Sequence, residues 1–356
     1  IDDQAGTATI AIGTAGGNDG EEALRPSTLP TGSRLARSAD IMSLRRHLFF
    51  CSMLILTCLT STRAAQVSEC GYTPHRVFNS AAETFNDFEM MMADLAKADV
   101  VFVGEEHDDP ATHRLELAIL EGLARRRASI IVAMEMFERD TQAAVDDYLA
   151  GRIDESEFLK TSRPWPNYAT DYRPLVEFAR MKGWHVIAGN VPRKYASQVA
   201  RGGTSVLDTL PQAERDFVAV EISAPKDDYF KRFAEAMSAH PIGTGGNTSE
   251  PKEREMTERF YLAQCVKDDT MAESIARAYN RSMEPKPLIV HFNGAFHSDY
   301  RLGTAARVRT RLEKARVAVV SIVPQEQLDS IEADEYRERG DYIVFALYQT
   351  PPDDKH

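Results

Sequence analysis

The chain is short of several things, and each shortage removes a class of function. It has no basic excess: 42 Lys and Arg stand against 54 Asp and Glu, a net charge of -12, so the electropositive footprint of a nucleic-acid binder is missing. It has four cysteines, of which Cys51 and Cys58 fall in an apolar N-terminal run, leaving Cys70 and Cys265 for one disulfide at most. No apolar run is long enough to span a bilayer comfortably. Gly243-Thr244-Gly245-Gly246 lacks the preceding strand that a dinucleotide fingerprint needs. Beyond one paired motif there is no internal repeat.

What is present begins at residue 42. Residues 1–41 are rich in Gly, Ala, Thr and Ser and read as a disordered or non-native upstream segment. Arg45-Arg46-His47, the apolar residues 48–59 and Thr62-Arg63-Ala64-Ala65 then have the layout of a secretory signal over residues 42–65, with translation expected to start at Met42. A lipid anchor on Cys58, giving membrane association, is a minor alternative, because Thr57 is a poor residue before a lipobox cysteine. Residues 66–356 are expected to form a single domain.

Two stretches organise that domain. Val100-Val101-Phe102-Val103-Gly104-Glu105-Glu106-His107 reads as a buried parallel strand delivering polar groups at its carboxyl end, with Asp109 as helix N-cap and Pro110 as first helical residue. Leu288-Ile289-Val290-His291-Phe292-Asn293-Gly294-Ala295-Phe296-His297 repeats the pattern, so two strands end in Gly-x-x-His. Ligands in open α/β sheets sit outside the carboxyl ends of strands, and the two ends are expected to share one crevice. His291, inside its strand, is assigned a structural role. Further strands are expected at 129–134, ending in Glu135, at 184–190, ending in Asn190-Val191-Pro192-Arg193, and at 317–323 and 342–348. Residues 81–97 read as one amphipathic helix. Helical insertions are expected near 138–172 and 204–281, the second a cap with helices around 230–237 and 253–279. Residues 162–174 read as an irregular aromatic loop broken by Pro164, Pro166 and Pro174. The expected class is α/β, a mainly parallel sheet flanked by helices with an inserted helical cap.

Gly104-Glu105-Glu106-His107-Asp108, Glu135-Met136, Asn190-Val191-Pro192-Arg193, Ala263-Gln264 with Asp269-Thr270-Met271-Ala272, and Gly294-Ala295-Phe296-His297, in this order, resemble the ChaN-like haem-binding family. That family groups with Tiki proteases, TraB proteins and erythromycin esterases, and the resemblance covers roughly residues 98–323. It implies haem binding and iron uptake at the bacterial envelope, commonly in lipoproteins.

Three readings fit these residues. In the first the chain binds haem, with Trp165, Tyr168 and Tyr172 as walls and phenolate donors and Arg163 and Arg173 for the propionates, in a slot that two copies could share as a homodimer. In the second it is a hydrolase: Glu105, Glu135, His107 and His297 hold Zn or Mn, or His107 is a general base oriented by Glu105 or Glu135, with Glu106 and Asn190 in the same cluster and Arg193 stabilising an oxyanion. In the third the acidic turns only cap helices in a scaffold or binding module. The partner expected is haem or another small molecule, with no nucleic acid, at a secreted, periplasmic or envelope location.

Overall fold

Val100, Val101, Phe102 and Val103 have no exposed surface at all, as an apolar run without alternation requires of a strand covered on both faces. The computed structural model describes residues 72–239 and 250–348. The expected signal, the lipid anchor, Cys70 with its pairing, and most of the loop around Gly243 lie outside these residues. In chain order the elements are β1 (His75–Asn79), β2 (Thr84–Asn86), α1 (Phe88–Leu95), β3 (Val100–Glu105), α2 (Pro110–Ala124) and β4 (Ile130–Glu138). Then come α3 (Gln142–Leu149), α4 (Glu155–Ser162), a π-helical turn (Tyr168–Tyr172), α5 (Arg173–Lys182), β5 (Val186–Asn190) and α6 (Arg193–Gly202). The chain continues through α7 (Gln212–Arg215), α8 (Asp228–Ala239), α9 (Glu250–Arg281), β6 (Leu288–Gly294), α10 (Gly303–Arg311), β7 (Val317–Gln325) and β8 (Tyr342–Leu347).

The eight strands form one sheet in the order β2-β1-β8-β7-β3-β6-β4-β5. β8 through β5 run parallel, and β1 and β2 add an antiparallel edge. The expected α/β class with a mainly parallel, helix-flanked sheet is therefore what the chain adopts. Side chains alternate between the faces of a strand. Val101 and Val103 pack with Leu115, Ile119 and Leu120 of α2, whereas Val100 and Phe102 pack with Ala272 and Ile275 of α9 and with Ala305 and Val308 of α10. Register places Glu105 opposite Gly294, so the carboxyl ends of β3 and β6 are neighbours. Among the described residues no helix is long and apolar enough to cross a membrane.

Two local expectations are corrected. Residues 81–97 are not one helix, because Asn79 caps a turn through the amides of Ala81 and Ala82 (3.0 Å each), Phe85 packs edge-on against Phe78 of β1 (5.4 Å), and Asp87 starts α1 by accepting from Glu89 N at 2.7 Å. The aromatic loop is only half irregular: Pro164 and Pro166 keep 163–167 out of a helix, but Tyr168–Tyr172 coils into a π-helical turn that runs straight into α5.

Candidate functional site

The turn after β3 is built as its sequence suggests. Asp109 accepts from Ala111 N (3.3 Å), Thr112 N (3.0 Å) and Thr112 Oγ1 (2.7 Å), and Pro110 occupies the first turn. Gly104 is needed for closeness: a Cβ there would stand 3.0 Å from both Ala295 Cα and Ser298 Oγ, so the first Gly-x-x-His packs directly on the second.

Glu105, on the α2 side of the sheet, is the hub of the first polar group. Its Oε1 accepts from His107 Nδ1 at 2.5 Å and from the Tyr172 hydroxyl at 2.7 Å. His113 and Glu116 come up from the first turns of α2, with His113 Nδ1 2.9 Å from Glu116 Oε2 and 3.7 Å from Glu105 Oε2. The carbonyl of His107 accepts from His113 Nε2 and Asn167 Nδ2, both at 3.1 Å, which fixes the turn. Burial opposes charge on Glu105, but hydrogen bonds from His107 and Glu116 overcome it and hold this carboxyl at about 2. Burial and the facing Glu105 charge push Glu116 well above the carboxylate range. Without a cation, then, Glu116 carries the proton of the pair. The outward end of the group is His107, 19% exposed, with the half-buried Trp165 edge-on at 4.7 Å.

The second group lies on the α9 side. His297 Nδ1 is 2.7 Å from Asp268 Oδ1 and its Nε2 is 3.2 Å from Glu135 Oε1. Asp268 also accepts from Tyr229 and Thr304 (2.8 Å each), and Glu135 accepts from Gly294 N at 2.9 Å. Gly303, at φ +52, lies against the backbone of His297, where a Cβ would come within 2.6 Å of His297 O. Burial disfavours a charged imidazole, yet Glu135 and Asp268 raise His297 to about 10. Asp268, although buried, is lowered by His297 and Arg307. His291 is the contrary case: burial takes it down to about 4, and it packs edge-on against Phe102 at 5.3 Å, the structural role expected of it.

The set expected to hold a metal, Glu105, His107, Glu135 and His297, is thus divided. His107 is held by Glu105 facing α2, and His297 by Glu135 and Asp268 facing α9, the two groups meeting through Gly294 between the strand ends. The cause is parity, since Glu105 shares the face of Val101 and Val103, and Glu135 that of Ile131 and Ala133. Among the described residues, the metal-competent group with ligand atoms within 4.8 Å of one another is Glu105, His113 and Glu116. Glu106 is exposed. Asn190 is buried, its Oδ1 accepting from Val191 N. Arg193 is exposed, its backbone amide donating to Glu138 Oε1 at 3.0 Å.

The expected haem loop is folded inward. Tyr172 and Tyr168 are 0% and 2% exposed. Tyr168 packs on Phe137 and Phe158. Burial raises both phenols, Tyr172 further through the Glu105 and Glu116 charges, so phenolate formation is opposed. Arg163 pairs with Glu138 (2.8 Å) and Asp140 (2.7 Å), and Arg173 with Glu155. Sequence reasoning missed His113, Glu116, Asn167 and Asp268.

Against the profiles of known families, residues 91–308 match the one described as haem-binding uptake, Tiki superfamily, ChaN. A comparison with curated proteins finds no match. A solved structure of cofacial haem binding to ChaN of Campylobacter jejuni superposes with a TM-score of 0.55 at 17% identity, over 78% of this chain and 97% of that one. An erythromycin esterase in its open conformation gives 0.42 at 12% identity, over 79% and 85%. The type III effector HopBA1 gives 0.38 at 12% identity, over 73% and 92%. The first likeness is one of fold; the other two superpose too loosely to support a functional inference.

Proposed function

We propose, because the chain belongs to the ChaN haem-binding uptake family of the Tiki superfamily, that it binds haem at the carboxyl edge of its sheet and handles it for iron uptake at the cell envelope. The family match, running from α1 into α10, is the observation that carries this reading. Haem needs an apolar wall, a donor for iron and cations near its propionates. Trp165 and the partly exposed ring of His107 supply an aromatic wall and an imidazole whose Nε2 is covered, and Arg163, two residues before Trp165 in the chain, is a cation paired with Glu138 and Asp140. Glu105 holds Nδ1 of His107 and so sets the ring's tautomer and orientation. The buried phenols of Tyr168 and Tyr172 fit a supporting role better than a ligand role. When bound, the iron supplies the ligand-exchange and redox chemistry. A homodimer holding haem between two copies is part of the proposal, as is export under the signal expected from the sequence of residues 42–65.

Titration of the purified chain with hemin tests the reading by its Soret band. Wild type is expected to shift the band, His107→Ala to lose at least about tenfold in affinity, and Tyr168→Phe to behave as wild type. Absence of any shift in wild type sinks haem binding. Cell fractionation with N-terminal sequencing tests export, and a mature chain beginning near residue 66 is expected.

One observation favours a second reading. An imidazole oriented by a carboxylate at 2.5 Å is a general base in form. An esterase and peptidase screen in which activity disappears with His107→Ala would support it.

A further inference from the structure

We infer that Glu105, Glu116 and His113 form a binding site for a first-row divalent cation, set behind His107 and independent of haem. The surroundings of His113 decide its tautomer. Among the described residues its Nε2 faces only acceptors, the carbonyl of His107 at 3.1 Å and Asp171 Oδ2 at 3.6 Å, so Nε2 carries the ring hydrogen. In the neutral ring Nδ1 is then a lone pair, and it faces Glu116 Oε2 at 2.9 Å and Glu105 Oε2 at 3.7 Å, which are lone pairs as well. Both carboxylate side chains have no exposed surface. With both carboxyls ionised, Glu105 Oε2 and Glu116 Oε1 accept no hydrogen bond among the described residues, although each is fully buried. Buried polar atoms are rarely left so.

A proton shared by the two carboxyls relieves their repulsion but leaves the imidazole lone pair against an oxygen, and a proton donated from Glu116 Oε2 to His113 Nδ1 satisfies the ring but leaves Glu105 Oε2 and Glu116 Oε1 without a partner among the described residues. Protonating the imidazole leaves carboxylate opposed to carboxylate. One dication satisfies all three groups at once. The spacing suits it, because bonds of about 2.0–2.2 Å set tetrahedral ligands roughly 3.4 Å apart, and 2.9 and 3.7 Å bracket that value. The Nε2 bond to a backbone carbonyl is the outer-shell contact that metal-ligating histidines make. One imidazole with two carboxylates suits Zn2+ or Mn2+. Only Glu105 belongs to the metal set read from the sequence; His113 and Glu116 enter from the helix that the set ignored.

The test uses the whole chain, freed of metal by dialysis against a chelator and then equilibrated with Zn2+ and, separately, Mn2+, with bound metal counted by mass spectrometry. The expected result is one cation per chain, with affinity reduced roughly 100-fold in Glu116→Gln and in His113→Gln. His185→Gln, a change at an exposed imidazole, is expected to leave it unchanged. Glu116→Gln keeps the side-chain shape, and thermal melts of both variants establish that they fold. A wild-type chain that holds neither ion, or an affinity that survives Glu116→Gln, overturns the site in favour of a shared proton. Hemin titration of the same variants keeps the two readings apart: Glu116→Gln is expected to lose the cation and retain the Soret shift.

Discussion

Replacing His297 by leucine tests whether the second polar group is a buried ion cluster on which the fold depends. His297 has no exposed surface and lies between Asp268 Oδ1 at 2.7 Å and Glu135 Oε1 at 3.2 Å. Removing the cation takes the imidazolium away from two buried carboxylates, of which Asp268 keeps Arg307 at 3.9 Å, and costs about 3–5 kcal/mol. The pH dependence is the sharper part. A histidine held at about 10 in the folded state, against about 6.5 unfolded, contributes stability that is full below the unfolded value and is lost as pH rises through the folded one. In that window the folded state binds more protons, and stability falls by about 1.4 kcal/mol per pH unit. Between about pH 7.5 and about pH 9.5 the wild type should therefore lose about 3 kcal/mol through this residue. Asp299, raised to about 7 mainly by burial, and Cys265, raised to about 12 for the same reason, also contribute pH dependence. Both are retained in His297→Leu, so the difference between the two urea-denaturation series reports the imidazole together with the two carboxylates it faces. A variant within about 1 kcal/mol of wild type at neutral pH, or a difference that does not shrink toward alkaline pH, would refute the buried ion cluster.

Three other changes are smaller in scope. Tyr172→Phe removes the hydroxyl that donates to the ionised Glu105, and should cost about 1.5–3 kcal/mol in chemical denaturation. Asp109→Ala removes three hydrogen bonds at the start of α2 and should cost about 1–2 kcal/mol, measured the same way. Gly104→Ala forces a methyl to within 3.0 Å of Ala295 Cα, a backbone atom, and should destabilise by about 1–3 kcal/mol with a lowered melting temperature. An unchanged melt for Gly104→Ala would mean that the two strand ends are not in close contact.

The central strands were legible because strands buried on both faces read as unbroken apolar runs closed by glycine or a polar residue, as Val100–Glu105 and Leu288–Gly294 do. The edge strands were not: β1 and β2 are short, β2 is largely exposed, and Phe85 and Phe88 fall at helical spacing by coincidence. Glu105 and His107 were readable from their place after a strand, whereas the partners each side chain meets depend on which face it takes and which helix covers that face. Even so, the helices carried a signal. Thr112, Glu116, Leu120 and Leu123 make one stripe of α2, and Tyr261, Cys265, Asp268, Ala272 and Ile275 one stripe of α9, all buried. Each stripe holds one acid where the spacing demands an apolar residue. Burying a carboxylate without a counter-charge costs more than a helix of this size can recover from packing, so an acid in such a stripe implies a partner rising to meet it from the sheet or from the same helix. For Asp268 that partner is His297, and for Glu116 it is His113 with a proton or a cation between them and Glu105. The interrupted stripe therefore identifies a polar site before any fold is known, and the covering element decides only which residue answers it.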